Sequence, residues 1–428
     1  MLRERIEQSA ERREGSSLAV MNCGQLVTVA GPARARVGAE LGELGIKRDA
    51  AMLVKDGRIA AVGRYQDLKG TLPAGLEVVD AGGHAVLPGF VDAHTHLVFG
   101  GDRVAEFEQR VAGKSYQEIA EAGGGIVSTL RQTRDASESE LMQSALRRAE
   151  WMLRGGTTTI EAKSGYGQTT ESELRILAAI AGLKERTPLR MVATLLAAHV
   201  VPPEYKQDRA GYVRLVTEEM LPAVAAQGLA RYCDVFCDAH AFTTAEARLI
   251  LRAAKQRGFG LRMHVEQFTA DGGAALAAEL GAKTADHLEY TNQAGIDALK
   301  VAGVQPVLVP GSVFALGRSK YPDARAMIAA GLAPVLATDF NPGSSPVTSM
   351  PFVISLAALC MKMLPAEAIV AATMNAAASL DMADEIGSLE PDKRADFVIH
   401  EFNDYREIAY YVAAPARPQV YIAGQRVA

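Results

Sequence analysis

The chain has 428 residues, of which 49% are hydrophobic and 22% are charged, and its formal net charge is −5. A chain of this length can bury a large core, either as one large α/β barrel with additions or as more than one domain. The small net charge gives no reason to expect nucleic acid or an anionic membrane as a partner. The longest apolar runs, 191–201 and 353–360, are too short to span a bilayer.

Two local features bear on where the protein works. Residues 1–17 are crowded with arginine and glutamate and have no apolar stretch, so we expect a polar N-terminal arm and not a signal peptide. The four cysteines are few and widely scattered, which favours a reducing cytoplasm. Cys233 and Cys237 lie in one predicted strand, where we expect buried, unreactive thiols.

Both ends of the chain have the pattern of short β-strands separated by turns. In residues 18–84, the apolar segments 51–54 and 59–63 flank an Asp-Gly pair, which favours the positive φ angles of a tight hairpin turn. Residues 384–428 have the same character. We therefore predict one small β-sandwich domain built from both chain ends.

Residues 85–383 alternate predicted strands with amphipathic helices, which is typical of βα units around a parallel sheet. The first predicted strand is 85–91. The later ones are 157–161, 190–197, 232–237, 260–265, 284–287, 304–309 and 334–337. Helices are predicted at 138–153, 171–184, 244–257 and 272–280. About eight strands in this arrangement predict a TIM-like (β/α)8 barrel.

Two histidines stand where the first predicted strand ends, at His94 and His96. Residues two apart in a strand point to the same side, so both imidazoles can reach one point. Neutral imidazoles suit zinc or iron, and Asp92 or nearby backbone carbonyls could orient the rings. A pair of ordinary surface histidines is the alternative.

Ionisable residues follow almost every predicted strand. In such barrels the functional side chains lie at the carboxyl ends of the strands, and here those positions hold Lys163, His199, His240, His264, His287 and Asp339. Six of the eight histidines in the chain fall at strand ends, whereas histidines without a shared role would be scattered. One divalent ion could take three imidazoles and a carboxylate, with room for a water, from His94, His96, His264 and Asp339.

Several strings resemble the amidohydrolase superfamily across nearly the whole chain. They are PGFVDAHTH at 88–96, the later strand-end histidines, and ATD at 337–339. Three longer strings resemble the imidazolonepropionase family more narrowly. They are HLVFGGDR at 96–103, EAKSGYG at 161–167 and ATDFNPGSS at 337–345. This resemblance implies hydrolysis of 4-imidazolone-5-propanoate to N-formimidoyl-L-glutamate in histidine degradation, with zinc or iron as the metal.

The resemblance also implies roles for individual residues. Asp339 would take the proton of the attacking water, and His287 would orient that water or hold the tetrahedral oxygen. A bound metal would activate the water and act as a Lewis acid. The residues placed on the substrate are Arg103, Tyr116, Tyr166, His199, Gln267, Asn341, Gly343 and Ser344. Arg103 would meet the propionate, because a guanidinium matches a carboxylate in two-pronged geometry.

The number of metal ions is predicted from the absence of a lysine at the end of the fourth predicted strand. In related binuclear enzymes a carboxylated lysine ends the fourth strand and bridges two metals, but here the fourth predicted strand runs into Asp238-Ala239-His240. We therefore expect one zinc or iron ion per chain. Lys163 belongs to the second strand and is interpreted as a buried ion-pair residue or one that supports the metal ligands, with a catalytic role as the lesser alternative. Glu266 is expected at the surface or in an ion pair, and no role is assigned to His240.

Other functions stay open at this point. Another mononuclear cyclic amidohydrolase, or an aminohydrolase (deaminase) acting on a heterocycle, would share the metal-binding pattern but would not need Arg103 together with Tyr166. A non-catalytic binding protein on the same fold would be expected to have lost at least one ligand, and none is missing. The predicted partner is a small-molecule substrate, and a homodimer is one assembly that the sequence allows.

Overall fold

The structure is a computed structural model that describes residues 16–70, 75–114, 118–119, 122–239 and 241–428. The strands are β1 (Leu18–Cys23), β2 (Gln25–Val27), β3 (Ile46–Lys47), β4 (Ala50–Lys55), β5 (Arg58–Arg64), β6 (Glu77–Asp80), β7 (Ala85–Pro88), β8 (Phe90–Thr95), β9 (Thr157–Lys163), β10 (Arg190–Ala198), β11 (Tyr232–Cys237), β12 (Gly260–Val265), β13 (Thr284–His287), β14 (Gln305–Leu308), β15 (Val335–Leu336), β16 (Phe397–Ile399), β17 (Gln419–Ile422) and β18 (Gln425–Arg426).

The α-helices span Tyr65–Leu68, Val104–Val111, Ile126–Asp135, Glu138–Arg154, Thr170–Leu183, Arg209–Leu215, Leu221–Gln227, Thr244–Gln256, Gly273–Leu280, Gln293–Ala302, Pro310–Ala315, Ala324–Ala330, Met350–Met361, Pro365–Ala371, Met374–Ser379 and Glu407–Tyr410. Short 3₁₀-helices span Gly38–Gly42 and Pro203–Tyr205, and a π-helical turn spans Val216–Met220.

Strands β8 to β15 form one sheet of eight strands in chain order, and their pairings are parallel. The sheet closes into a barrel just beyond β15, where Phe340 bridges to Thr95 and the Asp339 amide donates to the His94 carbonyl at 3.0 Å. The predicted (β/α)8 barrel is confirmed. Closure also fixes the carboxyl ends of the first and last strands next to each other, with Asp339 beside His94.

The later barrel strands match the prediction closely, but the first one does not. Strands β11, β12 and β13 have the predicted bounds. The predicted single strand 85–91 is wrong, because β7 pairs with β2 and β16 in a different sheet and only β8 belongs to the barrel. Gly89 separates the two strands, and a Cβ there would overlap the Thr158 side chain. An apolar run reveals burial but not which sheet buries it.

Two sheets built from both chain ends complete the fold, in the orders β5-β4-β1-β6 and β18-β17-β16-β7-β2-β3. They share a buried apolar cluster that includes Leu26 and Met52 together with Phe397 and Tyr421, whose rings stack at 4.4 Å. The predicted hairpin is confirmed, since Asp56 and the glycine after it have φ angles of 50° and 75°. The predicted domain limits, 18–84 and 384–428 for the β-sandwich and 85–383 for the barrel, stay a proposal.

The outer helices begin where the sequence supplies capping residues. The Glu138–Arg154 helix starts after Ser137, whose hydroxyl accepts the Glu140 amide at 3.3 Å while the Glu140 carboxylate accepts the Ser137 amide at 2.9 Å. The Thr244–Gln256 helix begins with the same arrangement. Both helices end within one residue of the predicted positions.

The cysteines and the helix lengths agree with the sequence analysis. Cys233 and Cys237 are buried as expected, and burial raises the pKa of the Cys237 thiol to about 12. All four cysteines are unpaired. None of the described helices is both long and apolar enough to cross a membrane.

Candidate active site

Four imidazoles and a carboxylate converge at the carboxyl end of the barrel. His94 and His96 come from the end of β8, and His264 comes from β12; one nitrogen from each ring lies within 4.8 Å of the others. His94, His287 and Asp339 form a second group of the same size. Asp339 Oδ1 lies 3.3 Å from His94 Nε2 and 3.4 Å from His96 Nε2, which makes one compact centre.

The donor set at this centre fits a divalent metal ion. His94 Nε2 and Asp339 Oδ2 are buried and have no hydrogen-bond partner within the described part of the chain. Burying such atoms without a partner is costly, and sites of this kind are commonly satisfied by an ion or a ligand. Imidazole nitrogens together with a carboxylate oxygen are typical ligands of zinc and iron.

The protonation of the histidines differs around the centre. Burial lowers the pKa of His264 to about 4 and that of His199 to about 3, so both rings are neutral at pH 7. Burial acts in the same direction on His94, but the contacts with the Asp286 and Asp339 carboxylates outweigh it and raise the pKa to about 9. The pKa of Asp339 is held well below its usual range, since contacts with the histidines outweigh burial.

Two buried aspartates orient the histidines, and neither was identified from the sequence. Asp286 Oδ2 lies 2.7 Å from His94 Nδ1, and Asp234 Oδ1 lies 3.0 Å from His264 Nδ1. A carboxylate on Nδ1 fixes the ring so that Nε2 points into the centre. The expectation that Asp92 could orient the rings is wrong. Its carboxylate instead accepts the Thr338 amide at 3.0 Å and hydroxyl at 2.6 Å, which ties the first strand to the last.

Lys163 connects the two aspartates from below the centre. Its buried Nζ lies 2.7 Å from Asp234 and 3.9 Å from Asp286, and it donates to Glu161 at 2.9 Å. The expected buried ion pair is therefore present. Arg262 is also fully buried, 3.9 Å from Glu161 and 4.0 Å from Asp286. One charged network thus supports the imidazoles from β8 and β12 together.

The backbone is strained where functional side chains leave the strands. His287 and Leu288 have φ angles of 82° and 70°, and Asp339 has 51°. A non-glycine residue in this region costs on the order of 1–2 kcal/mol, and such strain clusters at functional sites. Glu266, with a φ of 54°, was expected at the surface or in an ion pair, but it is buried and accepts the Ala274 amide at 3.2 Å.

Tyr166 and His199 cover one side of the centre. The His199 ring stacks on His96 with centroids 5.1 Å apart, and Tyr166 packs against His199 at 5.2 Å. His199 Nδ1 lies 3.3 Å from the carbonyl oxygen of Gly165. Gln267 follows β12, and its Nε2 donates to the Ser312 hydroxyl at 3.3 Å.

Arg103 and the loop after β15 meet at the edge of the centre. Asn341 Oδ1 accepts the amides of Gly343 and Ser344 at 2.8 Å and 2.7 Å, and its Nδ2 donates to the Asp339 carbonyl at 2.7 Å. A Cβ on Gly343 would overlap Arg103 Nη1, so only glycine lets the guanidinium lie there. Glu106 accepts from Arg103 Nε at 2.7 Å, a partner that the sequence analysis did not predict.

Two helix residues that were not predicted hold the surrounding loops. Arg148 donates to the carbonyls of Leu97 and Phe99 at 3.0 Å and 2.9 Å, and its guanidinium lies 3.3 Å from the Phe99 ring centroid. Glu173 is buried and accepts three backbone amides, from Gly165, Gly167 and Gln168, at 2.7–3.0 Å. Of the residues discussed from the sequence, Tyr116 and His240 lie outside the described residues.

The chain resembles known proteins along almost its whole length. The profile described as the amidohydrolase family matches residues 85–427. A protein named imidazolonepropionase from Solibacter usitatus is 57% identical over 412 residues, which cover 96% of this chain and 99% of that protein. The imidazolonepropionase of Symbiobacterium thermophilum is 45% identical over 413 residues. The chain belongs to the imidazolonepropionase family of amidohydrolases.

Solved structures agree with this amidohydrolase at the level of the fold. The guanine deaminase of E. coli covers 97% of this chain with a TM-score of 0.73 and 17% identity, and 99% of that protein is matched. A 5-methylcytosine deaminase from Klebsiella pneumoniae covers 96% of this chain and 97% of its own, with a TM-score of 0.72 and 16% identity. Amidohydrolases of this kind depend on metals, and the histidine centre of this chain could bind one.

Proposed function

We propose that this amidohydrolase opens the ring of 4-imidazolone-5-propanoate by hydrolysis and releases N-formimidoyl-L-glutamate, a step of histidine degradation. The observation that carries the proposal is the 57% identity to an imidazolonepropionase over 96% of the chain. The position of Arg103 beside the Gly343 loop adds support, because the substrate carries a propionate that a guanidinium can bind.

We propose that one zinc or iron ion is held by His94, His96, His264 and Asp339. When bound, the ion would make water nucleophilic at neutral pH and polarise the substrate carbonyl. The charges around the site favour a bound cation. Four linked carboxylates, Glu161, Asp234, Asp286 and Asp339, face two buried cations, Lys163 and Arg262, so negative side chains are in excess. A divalent ion would offset this excess, and a buried uncompensated charge is costly.

The reaction then needs proton transfers that residues of this chain can make. Asp339 Oδ2, which has no partner among the described residues, is placed to accept the proton of the attacking water. The same carboxyl can return the proton to the ring nitrogen as the C–N bond breaks. We assign to His287 the orientation of the water and the stabilisation of the developing oxyanion, since its ring adjoins that of His94 at 5.7 Å.

The substrate would be positioned by the remaining residues. We propose that Arg103 binds the propionate, with Asn341, Gly343 and Ser344 contributing from the last loop. Tyr166 and His199 would close over the ring, and Gln267 would face it from the opposite side. The proposed role of Tyr116 in the carboxylate pocket rests on the sequence resemblance alone.

The test is a progress curve with freshly prepared imidazolonepropionate on protein of known metal content. We expect ring opening that stops when the metal is removed and returns when zinc or iron is added. Uncharged imidazolones and hydantoins, and heterocyclic amines assayed for ammonia release, serve as comparison substrates. Equal turnover of those compounds would favour the alternative, a general cyclic amidohydrolase or a deaminase.

The setting of the reaction is also part of the proposal. We infer that the enzyme works in the cytoplasm, in line with its four unpaired cysteines. Its partner is a small-molecule substrate, and we propose that two copies associate as a homodimer. Light scattering on the purified protein would measure the number of chains directly.

A further inference from the structure

A second cavity adjoins the metal centre on the side of β12 to β14. Its volume is about 310 Å³, and its lining includes Gln267, Glu289, Ser312, Arg318 and Lys320. Arg103, in the loop after β8, is not among the residues that line it. The cavity therefore offers polar groups that the binding of the propionate does not use.

The inner wall of this cavity carries a buried carboxylate. Glu289 is only 6% exposed, and its Oε1 lies 3.5 Å from His287 Nδ1. Its other oxygen, Oε2, is buried without a hydrogen-bond partner among the residues that the structure describes. A buried carboxylate oxygen without a donor is costly, so this atom is placed for a donor that a ligand would bring.

The outer rim of the cavity carries two cations. The guanidinium carbon of Arg318 lies 4.6 Å from the centroid of the Phe268 ring, and Lys320 Nζ lies 3.8 Å from that of Tyr290. Cation–π contacts of this length restrain otherwise mobile side chains. The cavity thus presents a negative group inside and positive groups at its rim.

The product of the proposed reaction carries charges in a matching pattern. Hydrolysis adds water across the ring C–N bond, so the carbonyl carbon becomes a carboxylate and the released nitrogen takes a proton. The remaining N–C–N unit becomes a formamidine, which is a strong base and is cationic at neutral pH. Ring opening therefore creates one new anion and one new cation, while the propionate is unchanged.

We propose that this cavity is a product subsite, in which Glu289 binds the formamidinium group and Arg318 with Lys320 binds the newly formed carboxylate. The inference rests on the proposed function, because the two charges arise only when the ring opens. The subsite would draw the product away from the metal centre while Arg103 holds the propionate. It also gives Glu289 a ligand contact in addition to its contact with His287.

The experiment compares two inhibitors that differ in one group. N-formimidoyl-L-glutamate has the new carboxylate, and N-formimidoyl-4-aminobutyrate lacks it but keeps the formamidine and the other carboxylate. In the wild-type enzyme we expect the first to bind about ten-fold or more tightly, as a charge-assisted contact commonly gives. The variant Arg318→Gln with Lys320→Gln should bring the two inhibition constants to within about two-fold of each other.

Two further variants make the comparison specific. Glu289→Gln should weaken both inhibitors by about ten-fold and keep the preference between them, since both carry the formamidine. Lys300→Gln is the control, because Lys300 lines a different cavity near the start of β14 and should change neither constant.

The negative results distinguish failure of the product subsite from failure of the proposed function. If the rim variant keeps the wild-type preference, or if Glu289→Gln lowers kcat while both inhibition constants stay the same, the subsite is absent and Glu289 only positions His287. Lack of turnover of imidazolonepropionate by the wild-type enzyme is measured beforehand and would overturn the proposed function instead.

Discussion

The two halves of the site are built by different means. In the metal half, His94, His96 and His264 lie at the ends of barrel strands, and buried carboxylates fix the rings of His94 and His264. In the substrate half, Arg103 and Tyr166 sit on loops whose backbone is held by single side chains from neighbouring segments. Glu173, for example, accepts three amides of the loop that carries Tyr166.

The difference separates two kinds of mutational effect. Strand positions are fixed by the hydrogen bonds that close the barrel, so the metal half stays in place when a loop is disturbed. Loop positions depend on side chain to backbone hydrogen bonds, each of which contributes about 1 kcal/mol net. Changes in the metal half should therefore act on metal content and kcat, and changes in the substrate half should act on KM.

The strongest test of the metal half is His264→Ala. Removing one imidazole from the centre should abolish tight metal binding, an effect larger than the ~10–100-fold that follows loss of an outer hydrogen bond. Elemental analysis of the purified variant measures the metal, and turnover should fall with it. A variant that keeps one tightly bound metal per chain would show that His264 is not a ligand. The same elemental analysis of the wild-type enzyme would contradict the single-ion proposal if it found two tightly bound metal ions per chain.

A second test separates chemistry from metal affinity within the same half. His287→Ala should lower kcat by about two or more orders of magnitude, as loss of a proton-handling or oxyanion-binding group commonly does. Metal content should stay near that of the wild type. Should the variant purify without metal, His287 would be a metal ligand and not a residue that acts only in the chemical step.

The metal half could be predicted from the sequence because strand alternation and barrel topology act together. The pair His94 and His96 shares one face of a strand, and the remaining positions lie at strand ends that a barrel brings to a common rim. The sequence contains a weak indication that Asp234 and Asp286 have a role, since each is a charged residue inside an apolar strand. That signal was overlooked in favour of Asp92, which lies nearer in sequence.

The supports of the substrate half could not be predicted in this way. Arg148 and Glu173 lie on helices outside the barrel and reach loops that are close only after folding. No local pattern distinguishes them from ordinary helix residues. The break at Gly89 was missed for a related reason, because residues 85–91 are equally apolar on both sides of it. Tertiary contacts decide such features.

In the substrate half, the largest expected effect is that of Arg103→Ala. Loss of a partly buried charge-assisted contact with the propionate should cost about 2–3 kcal/mol, which raises KM roughly 30- to 150-fold while the metal stays in place. Arg103→Lys should recover only part of this loss, because an ammonium cannot form the two-pronged contact. An unchanged KM in the alanine variant would place the propionate elsewhere.

Lys163→Met tests whether the network below the metal acts on both ligand strands. Without the charge of Lys163, Asp234 and Glu161 lose their nearest cation. This loss should destabilise the fold by about 3–5 kcal/mol and weaken metal binding ~10–100-fold. Competition with a chelator measures the metal affinity, and the absorption spectrum of a cobalt-substituted sample reports ligand geometry. A purely structural role would lower the melting temperature and leave the affinity and the spectrum unchanged.

The smallest effect is expected for Glu173→Gln, which probes the support of a substrate loop without touching the site. The amide keeps one acceptor oxygen, so at least one of the three loop amides loses its partner, at a cost of about 1 kcal/mol. KM should rise roughly five-fold with little change in kcat or metal content. Glu171→Gln is the matched control, because Glu171 lies in the same first helical turn with its side chain 85% exposed. If both variants have the same KM, Glu173 does not support the substrate loop. If Glu173→Gln loses metal, the substrate loops are not independent of the metal half.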